Sequence, residues 1–84
     1  INDVMANSNA VTLYPNPAKN HITIESRVNL NKIEILDLTG KFVREIKVSS
    51  SLAQTIDITD LNRGVYFVRY SNETETKTQK IIVE

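Results

Sequence analysis

The sequence predicts an all-β domain, an antiparallel sandwich of about seven strands, on three observations. Ile, Val and Thr supply 26 of the 84 residues and Ala only four. β-branched side chains are stiff at χ1 and suit a pleated surface better than a helix. Apolar and polar residues alternate in short runs, and no segment keeps a helical period over three turns. Turn-forming residues recur about every ten positions, which is the spacing of a sandwich. A chain this small, with no cysteine and five aromatic residues, has a modest core. Two closed sheets suit it better than one open sheet with bare edges.

The polar, aperiodic stretch Ile1–Ala10 reads as a linker. Val11–Tyr14 is the first predicted strand, with Val11 and Leu13 on one face. It stops at Pro15-Asn16-Pro17, where two prolines remove ladder donors and hold the chain extended before a turn through Ala18-Lys19-Asn20. His21–Glu25 alternates, with Ile22 and Ile24 inward and His21, Thr23 and Glu25 outward. After a loop over Arg27–Asn31, Lys32–Leu38 alternates again at Ile33 and Ile35. Thr39-Gly40-Lys41 is a tight turn in which Gly40 supplies a positive φ. Phe42–Val48 returns antiparallel, Ser49–Ser51 is a loop, and Gln54–Ile58 is the fifth strand. A polar corner over Thr59–Arg63 ends at Gly64, also read as a turn residue. Val65–Tyr70 follows, with Val65, Phe67 and Arg69 outward and Tyr66, Val68 and Tyr70 inward. Ser71-Asn72-Glu73 turns the chain into a last strand, Thr74–Val83, polar at first and apolar at Ile81-Ile82-Val83.

Composition and motifs exclude several function classes. Ten basic residues balance ten acidic ones, which argues against nucleic acid or an acidic membrane surface as a partner. No apolar run approaches the length of a spanning helix, so no direct membrane insertion is expected. The absence of cysteine removes disulfides, thiolate zinc sites and cysteine nucleophiles. No charged-then-apolar leader opens the sequence at Ile1.

Four stretches in order carry a family resemblance. They are Leu13-Tyr14-Pro15-Asn16-Pro17-Ala18 with the Ile22-Thr23-Ile24 strand, then Ile35-Leu36-Asp37-Leu38-Thr39-Gly40-Lys41, then Leu61-Asn62-Arg63-Gly64-Val65-Tyr66-Phe67-Val68, and last Lys80-Ile81-Ile82-Val83. From about Val11 to Glu84 the chain resembles the C-terminal sorting domain of the type IX secretion system of Bacteroidetes-type bacteria. Where family members often carry Leu-Pro-Ala-Gly before the Tyr strand, this chain keeps only the leucine and the glycine, Leu61 and Gly64. Members often end on a basic residue, and this chain ends on Glu84.

The resemblance implies an immunoglobulin-like sandwich over residues 11–84, with Ile1–Ala10 in the place of the family's cleavage linker. It implies a non-catalytic export signal on a larger precursor, without a cofactor. The implied partners are the outer-membrane translocon, its shuttle proteins and a cell-surface sortase. The implied route runs through the periplasm to the cell surface or the medium, and a leader is then expected elsewhere on the precursor. The implied recognition residues are Tyr14, Pro15, Asn16, Pro17, Gly40, Gly64, Tyr66, Lys80, Ile81, Ile82 and Val83.

Plainer readings stand beside these. Tyr14–Pro17 is accounted for as strand punctuation. The lone His21, on an outward face beside Thr23 and Glu25, reads as a solvated histidine rather than a triad member. Asp57, Asp60 and Asn62 offer oxygens to calcium, but they lack the spacing of an EF-hand loop and also suit turns. Asn72-Glu73-Thr74 fits a glycosylation sequon, a short pattern that arises easily by chance. Tyr66 and Tyr70 are expected to pack inward; as a sugar platform they would instead suit an adhesive or carbohydrate-binding module retained on a secreted enzyme. The last strand, if at a sheet edge, is expected to offer its backbone to a partner together with Lys80–Glu84. Against that, Ile81 and Val83 simply complete the core.

Overall fold

The computed structural model describes residues 11–48 and 53–84, and the expected linker over 1–10 and loop over 49–51 lie outside them. Seven strands follow in order: β1 (Val11–Tyr14), β2 (His21–Ser26), β3 (Lys32–Asp37), β4 (Phe42–Ile46), β5 (Ala53–Asp57), β6 (Gly64–Ser71) and β7 (Thr76–Val83). Each predicted strand is present, with ends that differ by at most two residues. Pairing is antiparallel throughout, in a three-stranded sheet β1-β2-β5 and a four-stranded sheet β4-β3-β6-β7. This is an immunoglobulin-like sandwich.

The core is filled by the inward set of each strand. Val11 and Leu13 of β1, Ile22 and Ile24 of β2, and Ile56 of β5 face Ile33 and Ile35 of β3, Tyr66, Val68 and Tyr70 of β6, and Ile81 and Val83 of β7. Ile22, Ile35, Val68 and Ile81 are wholly excluded from solvent. Branched side chains dominate because they lose little χ1 freedom on a strand and interdigitate between the layers.

Three strand ends use one local device. Asp37, Asp57 and Asn72 each accept, on Oδ1, the backbone N–H and the hydroxyl of a Thr two residues on: Thr39, Thr59 and Thr74. Such turns satisfy backbone groups that leave a ladder and so stop the strand. They explain why β3 ends at Asp37 rather than Leu38 and why Thr74 lies outside β7. The sequon-like Asn72-Glu73-Thr74 is one of these turns.

Side chains join the layers at the sheet edges. Arg44 of β4 donates to the Asp57 carbonyl at 2.9 Å and to the Asp60 carboxylate at 2.5 and 2.6 Å, while Gln54 of β5 donates to the Lys47 carbonyl. On the opposite side Gln79 of β7 donates to the Val11 carbonyl and the Tyr70 hydroxyl. Tyr66 sends its hydroxyl back to the Asn62 carbonyl at 2.8 Å, forming the tyrosine corner of such sandwiches.

Three expectations are corrected. Gly64 does not sit in a turn: it opens β6 opposite Val83, with φ at +151°. The other glycine, Gly40, does lie in the β3–β4 turn, at φ +87°. Pro15–Pro17 does not continue as extended chain but bends, with both X–Pro bonds cis, and Ala18 is a buried bridge residue rather than a turn residue. Strict alternation also fails in β3, where Glu34 and Leu36 on the outer face are each only 8% exposed.

The two faces of β7 yield a paired prediction. Ile81→Ala removes a fully buried side chain and should cost about 2–5 kcal/mol, whereas Ile82→Ala should cost under about 1 kcal/mol. Urea unfolding of the two variants checks the assignment.

Candidate recognition surface

The four motif stretches, scattered in sequence, meet at one end of the sandwich. Register places Asp37, Tyr66 and Ile81 side by side across β3, β6 and β7. The Gly40 turn that follows β3, the Gly64 start of β6 and the Val83 end of β7 therefore share that end. Ala18 joins it through a parallel bridge to Val83.

The Asn16–Ala18 segment covers the terminal half of the β7 edge. On this edge strand the even-numbered residues direct their backbone groups away from β6. Asn16 fills two of these sites with its side-chain amide, donating from Nδ2 to the Lys80 carbonyl at 3.1 Å and accepting the Ile82 N–H on Oδ1 at 3.0 Å. Ala18 continues the ladder, donating to the Ile82 carbonyl and accepting from the Glu84 N–H, both at 2.7 Å. The Asn amide has the donor and acceptor of a peptide unit, and so stands in for a strand that the prolines at 15 and 17 could not supply. The motif is thus an edge cover. Among the described residues, the outward backbone groups of Thr76 and Thr78 have no such cover.

The other motif residues divide between surface and core. Pro15, Pro17 and Lys80 are exposed, and Ile81 and Val83 are core residues with Ile82 between them facing out. Tyr14 is 42% exposed and donates its hydroxyl to Glu25 Oε2 at 2.8 Å. That acceptor carboxylate raises the Tyr14 pKa. Tyr66 and Tyr70 are buried, as expected, and form no sugar platform.

One charged group on the four-stranded sheet's outer face, Glu34, escaped the sequence reading. Glu34 is flanked by Arg69 of β6 on one side and by Glu45 of β4 on the other. Like charges directly opposite destabilise a ladder. Arg69 offsets this by donating from Nε and Nη2 to Glu34 Oε1 at 2.9 and 2.7 Å, and Lys32 Nζ lies 3.6 Å from Oε2. Those donors hold the Glu34 carboxyl below its ordinary value, against the opposing effect of burial. Only the single break of polarity in an apolar strand hints at it, and its partner is 35 residues away.

The remaining acidic cluster is committed to the fold. Asp57 is held low by the Thr59 amide and hydroxyl, and Asp60 by the Arg44 guanidinium. Asp37 is held low by the Thr39 hydroxyl and the Lys41 amide. A calcium ion at Asp57 and Asp60 would have to displace Arg44. His21 lies exposed in a shallow open groove with Asn20, Thr55, Asp57 and Thr59, which contains no serine.

Residues 12–84 match the family described as the secretion system C-terminal sorting domain. No curated protein matches the chain.

Asn16→Ala should lower stability by about 1–2 kcal/mol and speed hydrogen exchange at the Ile82 amide, read by NMR, while Asn16→Asp keeps the acceptor for that amide and should fall between. Acid should also destabilise the fold in a defined window. Glu34, Asp37, Asp57 and Asp60 all have folded pKa values below their ordinary ones, so the folded state binds fewer protons than the unfolded chain. The stability this contributes is complete above the ordinary carboxylate range and is lost as pH falls through that range and below it. Glu34→Gln should flatten part of that decline in urea midpoints measured across the range.

Proposed function

The chain belongs to the secretion system C-terminal sorting domain family, and on that premise we propose that it is the folded tag by which the outer-membrane translocon takes up a larger precursor and from which the cargo is then cut. A domain of this family is a C-terminal sorting signal for type IX secretion and works with that machinery. It directs export to the cell surface or the extracellular space, and the family is non-catalytic.

The finer steps are the proposal. Cargo reaches the periplasm, the folded domain is bound by translocon and shuttle proteins, and a surface sortase cleaves upstream of Val11. The observation that supports this reading is the gathering of four separated stretches at one end of the sandwich, around the covered terminus of β7. A binding signal needs a folded patch on its surface. Pre-ordering lowers the entropy cost of being bound.

The test places the chain behind a signal peptide and a fluorescent reporter in a bacterium that has this system. The reporter should reach the medium or the cell surface, and intact mass should show the chain removed by a cut before Val11. Reporter that stays in the periplasm overturns the sorting reading. Surface reporter that retains the chain overturns the cleavage step and favours a retained adhesive module.

A further inference from the structure

Apolar side chains that the core does not use come together on the outer face of the four-stranded sheet. Leu36 of β3 lies opposite Phe42 of β4 on one side and Phe67 of β6 on the other, and Val65 of β6 lies opposite Ile82 of β7. Residues directly opposite share a face, and two positions along a strand return to it. These five therefore form one contiguous patch across all four strands of the sheet. Phe42 is 51% exposed and Ile82 38%, and Leu36 is nearly covered because two phenylalanines flank it. Leu38, 65% exposed, stands in the turn that ends β3.

This placement is not a by-product of core packing. A bulge between Ile35 and Leu36 shifts the β4 register, so that Arg44 lies opposite Ile35 and Phe42 opposite Leu36. Arg44 then reaches to Asp57 and Asp60, and Phe42 is left on the outer face. Contiguous exposed apolar surface on a small soluble domain marks an interaction site.

The charge around the patch states what covers it. Lys80 lies opposite Phe67 on the same face, Lys41 precedes Phe42, and Arg63 precedes Gly64 at the start of β6. All three are exposed, and none has a carboxylate within ion-pair distance among the described residues. Glu84 follows β7, and the exposed Glu45 lies opposite Glu34, on the side away from the Gly64 end. The Asp37 carboxylate is bonded within its own loop, although the Lys41 charge also acts on it. Arg69 is already taken by Glu34, which closes the patch on the side away from the Gly64 end.

We propose that this face is where the secretion machinery binds the domain, through an apolar protein surface that carries carboxylates opposite Lys80, Lys41 and Arg63. The proposal rests on the sorting reading and names the surface that reading requires. Phe42 and Ile82 are the anchors, since large apolar side chains at the centre of a contact dominate binding. Lys80 steers the approach and fixes orientation.

The test uses the reporter fusion in a strain that has the secretion system. The double variant Phe42→Lys with Ile82→Lys should lower export by about tenfold or more, and Lys80→Glu should lower it severalfold, in variants that a thermal melt shows to be folded at the growth temperature. A control, Thr12→Lys on the outer face of the other sheet, should export like the parent. To guard against misfolding, the photo-crosslinker p-benzoyl-phenylalanine replaces Phe42 alone. It should yield an adduct that disappears in an isogenic strain lacking the translocon, while the same probe at Thr12 yields none. Parent export with undiminished export of the double variant, or equal adducts at Thr12 and Phe42, overturns this surface and leaves the sorting function intact. A parent that is not exported overturns both.

Discussion

The register of β7 is the constraint on which the rest of this domain depends. A slip of one residue along β6 would turn Ile81 and Val83 out to solvent and drive Lys80 and Ile82 into the core. The β6 ladder alone is a weak guard, because the first half of β7 is polar and offers little apolar surface to a preferred face. Asn16 and Ala18 supply the missing specification, since their bonds to Lys80, Ile82 and Glu84 are satisfied in one register only. The motif near the start of the chain thus decides which side chains at the far end are core and which are surface.

The same economy recurs where the sheets must be closed without disulfides. Side chains, not cross-links, join the layers: Arg44 and Gln54 on one side, Gln79 and Asn16 on the other. Each meets a backbone carbonyl that would otherwise face solvent at a bare edge, which is how small sandwiches avoid edge-to-edge association. The Asx turns at Asp37, Asp57 and Asn72 cut the strands to length, and the one at Asp57 lies where the Arg44 bridge lands. With the layers held at their edges, Phe42 and Ile82 on the outer face of the four-stranded sheet stay part-exposed.

Much of this was legible in the residues themselves. Ile22, Ile24, Val68 and Tyr70 announced their faces because a buried side chain must recur at every second position on a strand. Gly40 announced a turn because few residues other than glycine tolerate its φ. Gly64 misled for the same reason: a residue suited to a turn also opens a strand when the preceding corner demands that angle. Glu34 misled because period-two reasoning equates the outer face with solvent, whereas Arg69, Lys32 and the neighbouring strands cover it. Asn16 was read as punctuation because its neighbours are prolines, and the bonds that give it a second role lie 64 and 66 residues away.

By itself, the sequence determined the number of strands, their inward faces and the family to which the chain belongs. These follow from local chemistry: β-branched composition, alternation, and turn residues between runs. Only the tertiary structure decided that four distant stretches share one end, that Asn16 covers the β7 edge, and that Leu36, Phe42, Val65, Phe67 and Ile82 form one surface. Alternation states on which side of a strand a residue lies. It carries no information about which strand lies beside it or in what register, and a surface built across four strands exists only when both are set.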